Sequence, residues 1–179
     1  YPIEQIVDAL RLMQQGQHIG KLVITLPDYE QSSKTLKIKP EGTYLITGGL
    51  GALGLEMAQW LVSKGARQLV LMGRHSPRPM AKHMIEQLMK QGATVMMQQA
   101  DVADVDAVAQ SLQRISNEAP PLCGIIHAAG VVHDGRLQQM QWSQFEAVMD
   151  PKVLGTWNLH QLTQTQTLDF FVCFSSIAA

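Results

Sequence analysis

Thr47-Gly48-Gly49-Leu50-Gly51-Ala52-Leu53-Gly54 stands between a short apolar run, Tyr44 to Thr47, and a stretch from Gly54 to Lys64 that sets Leu55, Ala58, Leu61 and Val62 on one helical face. Glycines let a backbone turn tightly and approach a ligand closely, and a helix starting just after them offers free N–H groups and a partial positive charge. A phosphate is expected there. Gly49, Gly51 and Gly54 also fit G-x-G-x-x-G. That pattern is weak alone and gains its meaning from the strand before it and the helix after it. A tight glycine turn without a ligand is the plainer alternative.

Outward from this loop, apolar runs alternate with amphipathic stretches. Strands are expected at Gln68 to Met72, Thr94 to Gln98, Gly124 to Ala128 and Phe170 to Ser175. Helices are expected over Ala81 to Gln91, Val105 to Ile115, Trp142 to Met149 and Val153 to Thr163. Such alternation implies parallel strands joined by right-handed crossovers, an α/β fold with a Rossmann-like doubly wound sheet. Ahead of it, Ile3, Ile6, Val7, Leu10 and Met13 recur at helical spacing, and Leu22 to Leu26 reads as a strand. Residues 27–40 are polar and linker-like, so the expected organisation is a helix-strand remnant over 1–26, a linker over 27–40 and the α/β unit over 41–179. The opening at Tyr1 without methionine and the stop at Ala179 just after a strand suggest a piece of a longer polypeptide, with the sheet incomplete at its C-terminal end.

Charge names no partner. The net charge is -1 and charged residues make up 16%, below the usual figure of about 25%. Neither a nucleic-acid stripe nor a membrane span is expected. Cys123 and Cys173, in separate apolar runs, suit reduced core thiols and a cytoplasmic location rather than a disulfide framework. No zinc-ligand spacing occurs, so no metal is expected, and His18, His127 and His133 read as structural.

The second strand ends Leu71-Met72-Gly73-Arg74-His75, where an acid would bind a ribose 2′-hydroxyl and an arginine a 2′-phosphate. Arg74 can pair bidentately with a phosphate, and no carboxylate is expected nearby to repel it, which favours NADPH over NADH. After the third strand, Asp101 beside Val102 could accept a hydrogen bond from an adenine amino group. It could equally cap the next helix, with Asp104 as a rival for that position.

Three stretches now converge: Ile46 to Gly54, His127-Ala128-Ala129-Gly130-Val131, and Phe174-Ser175-Ser176-Ile177-Ala178. Their order and spacing resemble the short-chain dehydrogenase/reductase family, and specifically the ketoreductase domains of type I polyketide and fatty acid synthases. The resemblance implies NADPH-dependent reduction of a β-ketoacyl thioester carried on an acyl carrier protein, inside a multifunctional synthase with neighbouring domains. It further implies that Thr47, Gly48, Gly49, Leu50, Gly51, Leu53, Gly54, Arg74, Asp101, Val102, Ala128, Ala129, Gly130 and Lys152 contact the cofactor. Pro151-Lys152-Val153-Leu154-Gly155 looks like the family's lysine motif, which makes Lys152 and Ser176 the catalytic pair. Chemistry alone asks for the same roles, since hydride delivery to a ketone builds alkoxide charge that needs a hydroxyl donor and a cation. Without the resemblance, Lys152 would read as a surface lysine beside a helix-starting proline and Ser176 as a turn serine.

The family's proton-donating tyrosine follows the serine by about a dozen residues, whereas Tyr1, Tyr29 and Tyr44 all precede the glycine loop. The 179 residues alone are therefore expected to be inactive. Val131-Val132-His133-Asp134-Gly135 lies where one stereochemical class carries Leu-Asp-Asp; Asp134 matches the last acid, leaning toward a B-type product, or simply orders a loop. Tyr1-Pro2 with Ala9 to Val23, including His18-Ile19-Gly20-Lys21, resembles the tail of an enoylreductase domain of such synthases. Two other readings remain in play, a non-catalytic ketoreductase scaffold and a short-chain reductase for a free small molecule.

Overall fold

The computed structural model describes residues 1–16, 19–25 and 37–175, and of Leu137 the backbone only. Ser176, Ile177, Ala178, His18 and Leu26 therefore lie outside the described residues, as does most of the 27–40 stretch. The chain divides into two compact units, Tyr1–Lys37 and Ile38–Ala179.

In the first unit a 3-10 turn, Ile3–Gln5, leads directly into helix α1, Ile6–Gln14. The apolar residues Val7, Leu10 and Met13 are about half exposed, and Ala9 is buried. The strand expected at Leu22 to Leu26 does not form among the described residues. Thr25 instead makes a single parallel bridge to Pro2, because its N–H donates to Tyr1 O at 2.7 Å and its carbonyl accepts from Ile3 at 3.0 Å.

In the second unit five parallel strands form one sheet: β1 Thr43–Thr47, β2 Gln68–Gly73, β3 Thr94–Gln99, β4 Leu122–His127 and β5 Phe170–Cys173, in the order β3-β2-β1-β4-β5. This is the doubly wound arrangement, with the order reversing between β1 and β4. The helices are α2 Ala52–Ser63, α3 Pro79–Lys90, α4 Val105–Glu118, α5 Trp142–Lys152 and α6 Leu154–Thr163.

Because β1 is central, all five of its residues are buried. The two-residue period of a strand then splits its side chains between two cores. Tyr44 and Ile46 join Leu69 and Leu71 under α2 and α3, through Leu55, Leu61 and Ile85. Leu45 joins Val70 and Met72 under α4 and α6, through Val108, Leu112 and Leu159. Truncating any of these fully buried leucines to alanine costs roughly 2–5 kcal/mol. The edge strand β5 is held by Phe170, whose ring stacks on Tyr44 at 5.7 Å and 9° and occupies the space a side chain at Gly124 would need.

Two expectations change here. Helix α5 runs three residues past Met149, so Pro151 and Lys152 lie in its last turn rather than starting the next helix. Pro151 has no N–H to donate to the turn before it, and the chain redirects at Val153 into α6 without an intervening loop. Both cysteines are free thiols, as expected, but only one of them packs on a core. Cys123 is half-buried and packs on the first core, and burial pushes its thiol up; Cys173, on the edge strand, is exposed.

Candidate nucleotide-binding and active site

A pocket of about 630 Å³ opens beside the C-terminal ends of β1, β2, β3 and β4. Its position follows from topology, since β1 and β4 stay paired to their ends while the chain leaves β1 for α2 on one face of the sheet and continues from β4 to α6 on the other, which leaves a crevice where the strand order reverses.

The glycine loop forms one wall, where Thr47, Gly48, Leu50 and Gly51 line the pocket. Gly48 takes a φ of 65° and its position allows no side chain, because a Cβ there would stand 2.6 Å from the Ala128 carbonyl oxygen. Gly49 turns away from the pocket. Its N–H donates to Met72 O at 3.1 Å, and a Cβ there would meet Ile46 O at 2.6 Å, so this glycine ties the loop down on the sheet. Gly54 serves helix packing, since its Cβ would overlap Gly48 O and approach Gly49 Cα to 2.6 Å. Leu53, grouped with the loop in the sequence, is exposed on α2 and lies outside the lining.

Helix α2 starts at Ala52 with no side chain capping it. The Gly51 N–H donates to Gly48 O at 2.9 Å, so the helix dipole and the first-turn N–H groups that follow it, from Ala52 at the pocket wall, are what fit a pyrophosphate.

Across the loop the pocket is lined by Arg74, with His75, Ser76 and Arg78 following it. The sequence reading picked out only Arg74; Arg78, a second cation four residues on, was the available signal for a longer basic rim. A carboxylate does adjoin Arg74 in space. Asp101 Oδ2 lies 3.9 Å from Arg74 Nη1, because β2 and β3 are neighbours and their ends meet. Asp101 also lines the pocket with Val102, while its Oδ1 accepts from the Ala103 N–H at 3.0 Å. Asp104 caps α4, accepting from the Asp106 and Ala107 N–H groups at 3.0 and 3.1 Å. The alternatives left open for Asp101 thus separate: it does not cap α4 and it borders the pocket.

Ala128, Ala129, Gly130 and Val131 line the opposite side. Just beneath them His127, 2% exposed, lies within 2.5 Å of Thr47 Oγ1 through Nδ1 and within 2.8 Å of Pro151 O through Nε2. Burial holds this imidazole below its ordinary pKa of 6.5, opposed in part by the Pro151 carbonyl. Pro151 itself lines the pocket, and Lys152 is half-buried with Cε 3.8 Å from where a Cβ on Gly130 would stand. Gly155 lets α6 close on this corner, since a Cβ there would lie 2.7 Å from Val102 Cγ1. Asp134 is exposed in the irregular segment before the 3-10 turn Leu137–Gln139 and does not line the pocket. Among the described residues no three His, Cys, Asp or Glu side chains gather as a metal site, and no helix is long and apolar enough to cross a membrane.

Residues 42–179 match the family model described as KR domain. Among curated relatives, a highly reducing polyketide synthase of Gibberella zeae is 38% identical over an alignment that takes in 100% of this chain and 7% of that protein. A lovastatin diketide synthase of Aspergillus terreus is 39% identical, over 99% of this chain and 7% of its own length. The chain thus spans a small fraction of the synthases it matches. Among solved structures, an N-terminal ketoreductase from the macrolactin assembly line superposes with a TM-score of 0.75 at 34% identity, covering 79% of this chain and 29% of that one. A ketoreductase domain from the bacillaene assembly line gives 0.75 at 37% identity, over 78% and 34%. With the doubly wound sheet, the glycine loop and the His127 to Gly130 turn already in place, the chain from Gly42 onward belongs to the KR domain family, the ketoreductase domains of polyketide synthases.

Proposed function

We propose that residues 41–179 bind NADPH in this pocket as the N-terminal portion of a ketoreductase domain that reduces the ketone of a β-ketoacyl thioester held on an acyl carrier protein to the β-hydroxyacyl product. The observation that carries this reading is one pocket bordered by both the uncapped α2 N-terminus and Arg74, with Lys152 outside its lining but next to Gly130, which lines it. Bound NADPH supplies the hydride. The backbone of Thr47, Gly48, Leu50 and Gly51 holds the pyrophosphate, Gly49, Leu53 and Gly54 keep loop and helix in place, and Arg74 pairs with the 2′-phosphate. Asp101 and Val102 take the adenine end, and Ala128, Ala129 and Gly130 the nicotinamide end. As hydride adds to the carbonyl carbon, negative charge builds on the ketone oxygen. The Ser176 hydroxyl donates a hydrogen bond to that oxygen, and the Lys152 ammonium stabilises the charge and the proton donor's conjugate base. The role of Ser176 rests on the motif in the sequence, since this residue is outside the described set.

Tyrosine occurs only at positions 1, 29 and 44, so the proton donor is not among these 179 residues. The 179-residue chain alone is accordingly proposed to bind nucleotide without turnover. In the same reading residues 1–26 are the tail of an enoylreductase domain and 27–40 a linker, the whole working among neighbouring synthase domains in the cytoplasm. Asp134 leans the reading toward the B-type product, and product chirality from the full-length protein tests that.

Titration of the purified chain with NADPH and NADH, followed by nucleotide fluorescence, tests the cofactor. NADPH is expected to bind at least about tenfold more tightly, the worth of one charge-assisted pair. Equal affinities would refute the assignment of Arg74. Consumption of NADPH that depends on a carrier-bound β-ketoacyl thioester, measured on the full-length protein, tests the reaction.

A further inference from the structure

His127 is buried, titratable and unused in the chemistry just described, yet both of its ring nitrogens are engaged. The Pro151 carbonyl can only accept, so Nε2 carries the hydrogen. Nδ1 is then the acceptor, and the Thr47 hydroxyl donates to it. One neutral tautomer therefore ties the end of β1, through the end of β4, to the last turn of α5.

That turn is where α5 is weakest. Pro151 cannot donate to the preceding turn, and α6 begins at Leu154 after a single intervening residue. The next side chain after the anchored carbonyl is Lys152, whose Cε reaches the Gly130 edge of the pocket. Gly155 closes the same corner, because a Cβ there would come within 3.4 Å of His127 Cε1. An apolar ring of similar volume would fill the space but leave both the Thr47 hydroxyl and the Pro151 carbonyl unpaired in a buried setting.

We propose that His127 is a positioning residue, which fixes the α5–α6 junction through the Pro151 carbonyl and so sets where Lys152 meets the pocket. This rests on the reading of Lys152 as the cation of the reaction.

The test is steady-state kinetics of the full-length protein with NADPH and a β-ketoacyl thioester. His127→Phe is expected to lower kcat by about 10–100-fold, the scale of a misplacement of about 1 Å, with the KM for NADPH changed by less than about threefold. His127→Gln, whose amide can donate to Pro151 and accept from Thr47, is expected to recover most of the loss. In a Lys152→Met background, itself slow, His127→Phe is expected to cost less than about threefold more, because coupled residues are non-additive. A wild-type kcat in His127→Phe, no recovery with glutamine, or an equal further loss in the Lys152→Met background would overturn the proposal. Wild-type kcat in Lys152→Met alone would sink the reading of Lys152 and this proposal with it, a result distinct from the others. Should His127→Phe fail to fold, Thr47→Val and His127→Gln carry the test: valine must lower kcat and glutamine must retain it, and the reverse order refutes the proposal.

Discussion

Arg74 Nη1 and Asp101 Oδ2 face each other at 3.9 Å across the ends of β2 and β3, with both side chains about half exposed. An ion pair this long and this wet is worth less than about 1 kcal/mol, whereas a phosphate can take the guanidinium in a bidentate pair. Arg74 is therefore free to change partners at little cost. Arg74→Ala is expected to weaken NADPH binding by about 10–100-fold while changing NADH binding by less than about threefold. Fluorescence titration with both nucleotides reads the difference, and a parallel loss for both would remove the 2′-phosphate from the account.

The neighbouring acids should separate cleanly. Asp104 caps α4 through two backbone N–H groups, so Asp104→Ala is expected to cost about 1 kcal/mol of stability and leave nucleotide affinity alone. Asp101 borders the pocket and does not cap α4, its side chain's one backbone hydrogen bond being from the Ala103 N–H. Asp101→Ala is expected to weaken nucleotide binding by about 2–10-fold, the worth of one hydrogen bond, with a smaller effect on stability. Urea unfolding beside nucleotide titration of both variants measures the pair; swapped outcomes would contradict the geometry.

Gly54→Ala places a methyl group against the Gly48 carbonyl, between two stretches of backbone that have no side-chain freedom to yield. A destabilisation of about 1–3 kcal/mol is expected, with loss of nucleotide affinity as the loop shifts. Gly51→Ala is the control, since its added Cβ would stand 3.3 Å from Gly48 O and need only a small adjustment. A denaturation midpoint for Gly54→Ala equal to that of Gly51→Ala would refute this packing role.

His127 couples stability to pH. Burial lowers its folded pKa below 6.5, so between that folded value and 6.5 the unfolded chain binds more protons than the folded one. Its contribution is fully present above pH 6.5 and is lost as pH falls below it, at no more than about 1.4 kcal/mol per pH unit. The ring's two hydrogen-bond partners, the Thr47 hydroxyl and the Pro151 carbonyl, carry no charge. Urea midpoints between pH 5 and 8 should fall on the acid side for the parent chain and flatten there for His127→Gln, which has no proton to gain. An unchanged slope in the variant would assign the effect to another group.

The amino-acid sequence by itself determined the order of strands and helices in the α/β unit, the glycine loop and the place of Arg74 at the end of β2, because each depends on residues close together in the chain. Strand period, helical faces and a G-x-G-x-x-G turn are local, and the loop meets its helix within eight residues, Thr47 to Gly54. Tertiary structure alone decided the contacts that give those residues their setting. Arg74 and Asp101 stand 27 positions apart and meet because β2 and β3 pair in register. Asp101 and Asp104 looked interchangeable as caps until the path of the chain into α4 gave that role to Asp104. Thr47, His127 and Pro151 come together across separations of 80 and 24 residues, because β4 inserts beside β1 and α5 ends over both. A hydrogen bond between groups so far apart leaves no periodic trace in the chain, and it forms only once the sheet order has brought its partners within reach.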